Sequence, residues 1–121
     1  MTEYADLVNV MVRDVHARNI KWWQDPATQQ PIKRNVGELL CLIHSEISEG
    51  MEGYRRNRMD DKLPHRSMLE VELADAVIRI FDLSGGLGLD LGGAIDEKLA
   101  FNAVRKDHTH EARLAEDGKK F

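Results

Sequence analysis

Residues 45–52 read SEISEGME and residues 70–76 read EVELADA. Each stretch lies in a longer segment whose Leu, Ile, Val and Met recur at helical spacing, so both are predicted to be helices. Each also carries two acids three residues apart: Glu46 and Glu49 in the first, Glu72 and Asp75 in the second. Residues three apart project about 60° apart around a helix, so each pair shares a face. Between the two segments, RNRMDDKLP (56–64) is short and turn-forming, which favours an antiparallel hairpin. Counted from that turn, Glu49 and Glu72 both stand roughly 12 Å along their helices, and Glu46 and Asp75 roughly 16 Å, at 1.5 Å per residue. The four carboxylates are therefore expected to stand level and converge.

Acids at this spacing are also ordinary on a solvated helix face, and Glu72, Asp75, Arg79 and Asp82 fall within about 80° of arc. Three features count against simple decoration. Glu46 projects near Leu39 and Gly50, at the shoulder of the apolar stripe. Leu42 falls between Glu46 and Glu49. The two pairs also match in height across one turn. Four like charges repel unless a cation neutralises them. An all-oxygen set suits a hard divalent ion, Mg²⁺ or Mn²⁺, rather than zinc.

Outward from the hairpin the periodicity stays helical, with no sustained strand-like alternation. A first helix is predicted over 3–21, with Tyr4, Leu7, Val8, Met11, Val12 and Val15 as its buried stripe. QDPATQQPIK (24–33) is a loop on its two prolines. Asn35 is the expected N-cap of the second helix, with Glu38 placed as in a capping box, and that helix runs to about 57. The third covers about 66–84, with Pro64 just before it. GGLGLDLGG (85–93) reads as a glycine-rich turn with one short helical patch. It lacks Gly-Lys-Ser/Thr and no strand precedes it, so it is not a phosphate loop. A fourth helix is expected over 94–107, and the tail from about 108 should lie loosely on the surface. The expected fold class is all-α, a four-to-five-helix bundle forming a single domain over 1–121.

Composition narrows the function. Lysine and arginine number 17 against 21 acids, a net charge of −4 that disfavours long nucleic acid as a partner. No apolar run reaches the roughly 20 residues that span a bilayer, and MTEYADLVNV does not resemble a signal peptide. With one cysteine, Cys41, no disulfide can form within the chain, and a cytoplasmic location is expected. Cys41 itself is read as a small buried residue.

A third constellation lies on the fourth helix. Lys98, Asn102 and Arg105 follow an i, i+4, i+7 spacing that shares one face, and an ammonium, an amide and a guanidinium together suit phosphate oxygens. Glu52 extends the first acidic motif by one turn. Trp22 and Trp23, ending KWW, can stack on a nucleobase or serve as ordinary core anchors. His44 is read as packed or exposed rather than ligating, and His65, His108 and His110 fall in turn or tail contexts. Arg55, Arg56 and Arg58 meet the dipole at the second helix's C-terminus, and one of them could reach a terminal phosphate.

Taken together, EISE, 22 further residues, and ELAD resemble the Glu-x-x-Glu…Glu-x-x-Asp signature of the MazG-type all-α nucleoside triphosphate pyrophosphohydrolases. KLAFNAVR resembles the Lys-x-x-x-Asn-x-x-Arg motif that follows in that family, and GKKF resembles the basic end of its small phage-type members. The resemblance covers about residues 35–105. It implies Mg²⁺-dependent hydrolysis of a (deoxy)nucleoside triphosphate to a monophosphate and pyrophosphate. It further implies metal on Glu46, Glu49, Glu72 and Asp75, and phosphates on Lys98, Asn102 and Arg105. Glu49 and Glu52 become candidates for catalytic roles, Glu52 as an outer metal ligand or a base that orients water. Base contacts are implied for the region of Trp22 and Trp23. A homodimer or homotetramer, in the host cytoplasm if the chain is phage-encoded, is the assembly the resemblance implies. Two other classes stay open: a non-catalytic nucleotide- or alarmone-binding regulator, and a helical interaction module.

Overall fold

The computed structural model describes residues 2–105 and 109–120. Among them are five α-helices, with no strand beyond two isolated bridges: α1 (Glu3–Arg18), α2 (Val36–Arg55), α3 (Met68–Gly86), α4 (Leu91–Val104) and α5 (His110–Leu114). A 3₁₀ turn, Ile20–Trp23, follows α1. The fold is all-α. No helix among the described residues is long and apolar enough to cross a membrane.

The chain divides into two compact units. One holds Met11–Leu89; the other combines Met1–Val10 with Asp90–Phe121. In the larger unit, α2 and α3 pack along each other. Their register follows from three contacts. Gly53 faces Met68, Gly50 faces Leu69 and Glu72, and Glu46 bonds to Arg79. Numbers fall on α3 as they rise on α2, so the hairpin is antiparallel. Gly53 lets the axes close, and Gly50 sits in ordinary contact beyond it. A Cβ on Gly53 would stand 2.6 Å from Met68 Cγ, and one on Gly50 would touch Glu72 Cβ at 3.4 Å. Both helices are capped as their sequences dictate. Asn35 accepts from the Glu38 amide at 3.1 Å, while the full reciprocal box forms at Ser67 and Glu70.

The core is small: Trp23, Leu39 and Leu83 are buried together, with Leu42 and Ile43 against them. The Trp23 ring lies on Gly86, and a Cβ there would fall 2.3 Å from the indole. On α1 the expected stripe is corrected. Val12 is buried and Val8 and Val15 are half-buried, but Tyr4, Leu7 and Met11 are exposed. The seam runs instead through Ala5, Val12 and His16. His16 Cβ would come within 2.5 Å of a Cβ on Gly85 in the larger unit, and the Ala5 carbonyl within 2.1 Å of one on Gly92 in the smaller. Small residues and glycines carry that seam, so a reading based on large apolar side chains misses it.

The glycine-rich stretch ends α3 as expected. Gly88 takes φ +67°, in the left-handed region that glycine adopts without a Cβ penalty. α4 starts at Leu91, earlier than expected, because Asp90 caps it by accepting from the Gly93 amide at 2.9 Å. Residues 110–114 of the tail form a short helix. α4 ends at Val104 with Arg105 as its C-cap; Lys106, Asp107 and His108 lie outside the described residues, so the expectations for His108 and for helix over 106–107 fall there. Cys41 is exposed, contrary to expectation, because it projects away from the α2 face that carries Leu39, Glu46, Gly50 and Gly53.

Candidate functional site

Antiparallel packing brings the two acidic motifs together. One carboxylate oxygen from each of Glu46, Glu72 and Asp75 lies within 4.8 Å of the others. Glu46 and Glu72 are buried, Glu72 at 8% exposure, and Asp75 is half-buried. Gly50 faces Glu72 across the seam, where a Cβ would meet Glu72 Cβ at 3.4 Å, an ordinary van der Waals contact.

Like charges this close are costly, and the group that suffers most is Glu72. Burial pushes its carboxyl up from 4.5 to about 8, and Glu46 and then Glu49 push it the same way. As carboxylates, these groups only accept hydrogen bonds, so none can satisfy another until a proton is added. Glu72 Oε2 is accordingly buried with no hydrogen-bond partner. Asp75 is raised too, first by burial and then by Glu46, while the nearby Arg79 guanidinium opposes the rise. Arg79 Nε donates to Glu46 Oε1 at 3.0 Å and is the cation of the cluster. From sequence alone Arg79 falls only on a polar arc of the third helix, because its partner lies 33 residues away on another helix.

An orphaned, buried carboxylate oxygen flanked by two further carboxylates is a donor set that fits a hard divalent cation. Glu49 is exposed and stands outside the close trio, near enough to Glu72 to raise its pKa. Glu52 pairs instead with Arg56 one turn on along its own helix.

Two cavities flank the acids. The first, about 450 Å³, joins Glu46, Asp75 and Arg79 to Asn19, Trp22 and Arg34. The two tryptophans part ways here. Trp22 is 59% exposed and lines the cavity, whereas Trp23 is 9% exposed. Trp23 Nε1 donates to Asp82 at 3.0 Å, and His16 Nδ1 lies 2.8 Å from the same oxygen. That His16–Asp82–Trp23 network fixes the cavity wall and was not foreseen, because its members are scattered through the sequence. Arg34 donates to the Trp22 carbonyl at 3.0 Å and lies over the Trp23 ring. The second cavity, about 670 Å³, holds Glu49, Glu72 and Asp75 together with Arg58 and Lys62.

Lys98, Asn102 and Arg105 belong to the smaller unit. Lys98 Nζ sits 4.9 Å and the Arg105 guanidinium 5.7 Å from the Phe101 ring centre. Asn102 Oδ1 is buried without a hydrogen-bond partner, and Arg105 is the C-cap of α4. His44, His65 and His110 are exposed. Compared with known proteins, the chain matches no family model, no curated protein and no solved structure.

Proposed function

We propose that the protein is a Mg²⁺-dependent (deoxy)nucleoside triphosphate pyrophosphohydrolase of the MazG type, releasing a nucleoside monophosphate and pyrophosphate. The observation that carries this reading is Glu72: a buried carboxylate with an unpartnered oxygen, lining the second cavity and held against Glu46 and against Asp75, which lines both cavities. Such an arrangement is unfavourable in isolation and is relieved by a divalent ion. The intact order of the two acidic motifs and KLAFNAVR supports the same reading.

Glu46, Glu72 and Asp75, with Glu49 beside them, would hold the metal. When bound, Mg²⁺ supplies neutralisation of the polyphosphate and acidification of water. The chain's own groups do the rest. The 450 Å³ cavity takes the nucleoside, with Trp22 offering a stacking face for the base. Arg79 keeps Glu46 oriented. In hydrolysis, the water oxygen bonds to one phosphorus of the α–β bridge. The bond from that phosphorus to the bridging oxygen breaks, and its electron pair leaves with the other fragment. Glu49, outside the close trio, is the carboxylate assigned to receive the water's proton. Glu52, bound to Arg56, is assigned no direct part. Lys98, Asn102 and Arg105 are assigned to phosphate recognition on their motif.

A homo-oligomer belongs to the proposal. Val36, Leu40, Ile47, Met51 and Tyr54 are all exposed, and they fall within roughly 60° of arc on α2. An apolar stripe of that kind marks an interaction surface. The test of the function is a panel of canonical and modified nucleoside triphosphates with Mg²⁺, scored for pyrophosphate. Release from at least one substrate, lost in Asp75→Asn, is expected. Saturable nucleotide binding without turnover would replace the hydrolase with a binding regulator.

A further inference from the structure

The 670 Å³ cavity on the turn side of the acids has a composition that the acidic motifs do not explain. Two cations of the α2–α3 connection, Arg58 and Lys62, line it together with Glu49, Glu72 and Asp75. Two neighbouring arginines are engaged locally: Arg56 pairs with Glu52 and Arg66 with Glu70. Among the described residues, neither Arg58 nor Lys62 makes an ion pair, although carboxylates line the same cavity.

Nor is the connection a loose strap. The Arg58 amide donates to the Gly53 carbonyl at 3.0 Å, and its carbonyl accepts from the Met68 amide at 2.9 Å. Asp60, buried, accepts from the amides of Lys62 at 3.0 Å and Leu63 at 2.7 Å. Asn57 adopts φ +51° at the bend. Both cations thus project from a backbone fixed on either side, as a preorganised anion site requires.

Asp75 lines both cavities. The carboxylates therefore stand between a pocket with an exposed indole and a pocket with two unpaired cations. We propose that Arg58 and Lys62 hold the terminal phosphates of the substrate, and the pyrophosphate product, in the second cavity. The nucleoside then lies in the first cavity and the α–β bridge lies at the carboxylates. This orientation rests on the hydrolase reading, but the phosphate site does not need turnover to be tested. A guanidinium takes two phosphate oxygens at once and an ammonium adds a point charge, so the pair suits a diphosphate better than a single phosphate.

The probe is methylenediphosphonate, a diphosphate that cannot be hydrolysed at its bridge, titrated calorimetrically into the full chain with Mg²⁺. Wild type should bind it. Arg58→Ala and Lys62→Ala should each weaken binding by about 10- to 150-fold, the range of one charged hydrogen bond. Arg58→Lys should recover part of the loss. Mg²⁺ titrated alone should bind the alanine variants at least as well as wild type, since a nearby positive charge has been removed. Absence of diphosphonate binding to wild type, or wild-type binding in both alanine variants, overturns the proposal. So does an equal loss of Mg²⁺ affinity, which would mean that the connection only shapes the acid cluster. If the diphosphonate pattern holds and no triphosphate is hydrolysed, the phosphate site stands and the hydrolase reading falls. If triphosphates are hydrolysed and the alanine variants bind normally, only the phosphate site falls.

Discussion

Replacing Glu72 by glutamine should stabilise the metal-free protein at pH 8 while abolishing its response to Mg²⁺. The sign follows from the proton count. Folding raises the Glu72 carboxyl from 4.5 to about 8, so between those values the folded chain holds a proton that the unfolded chain has lost. Stability is then fully present below pH 4.5 and falls as pH rises toward 8, at about 1.4 kcal/mol per pH unit where the two states differ by one proton. Between pH 6 and pH 8 the loss is about 2 kcal/mol, and for a chain of this size it should lower Tm on the order of 8 °C. A ligand that binds only the native cluster stabilises it by mass action, so millimolar Mg²⁺ should remove most of that slope in wild type. Calorimetric melting of wild type and Glu72→Gln from pH 5 to 8, with and without Mg²⁺, reads all of this. A flat or rising Tm for metal-free wild type would refute the reasoning, as would an unchanged slope in Glu72→Gln.

Further outcomes follow from individual contacts. Trp23→Ala should destabilise by about 3–5 kcal/mol in denaturant unfolding, because it empties the seat against Gly86 and removes one of the two donors to Asp82. Trp22→Ala should leave stability near wild type and lower kcat/KM by about 5- to 150-fold through lost stacking. Gly53→Ala should cost about 1–3 kcal/mol, since Met68 Cγ and Cβ occupy the space of the new methyl group. Arg105→Ala should reduce kcat/KM by roughly 10- to 150-fold and leave the Mg²⁺-induced rise in Tm intact, whereas Asp75→Asn should remove both.

The hairpin was legible because its two signals agree. Apolar spacing marked the helices, and equal distances from one short turn pointed to four converging carboxylates, of which Glu46, Glu72 and Asp75 meet while Glu49 stands outside the trio. Asn35 and Gly88 punctuate the chain as their conformational preferences require. The α1 face was not legible, because Ala5, Val12 and two glycines set its packing while Tyr4, Leu7 and Met11 remain outside. Nor were the roles of Arg79, Asp82 and His16, each of which depends on a partner distant in sequence. Cys41 shows the limit of residue type as a guide: a cysteine prefers burial, but its angle on α2 decides. In RNRMDDKLP a reach toward a terminal phosphate was legible for one of Arg55, Arg56 and Arg58, but the Asx turn at Asp60 and the place of Lys62 beside Arg58 in one cavity are visible only once the backbone is closed.

The most direct measurement of the central claim is ³¹P NMR of a triphosphate panel incubated with wild type and with Glu72→Gln, in the presence of Mg²⁺. Paired resonances of a nucleoside monophosphate and pyrophosphate are expected for wild type, with no orthophosphate growing alongside, and little or no product from Glu72→Gln. A diphosphate and orthophosphate would contradict the assigned cleavage, and equal turnover by Glu72→Gln would contradict the carboxylate cluster as its centre.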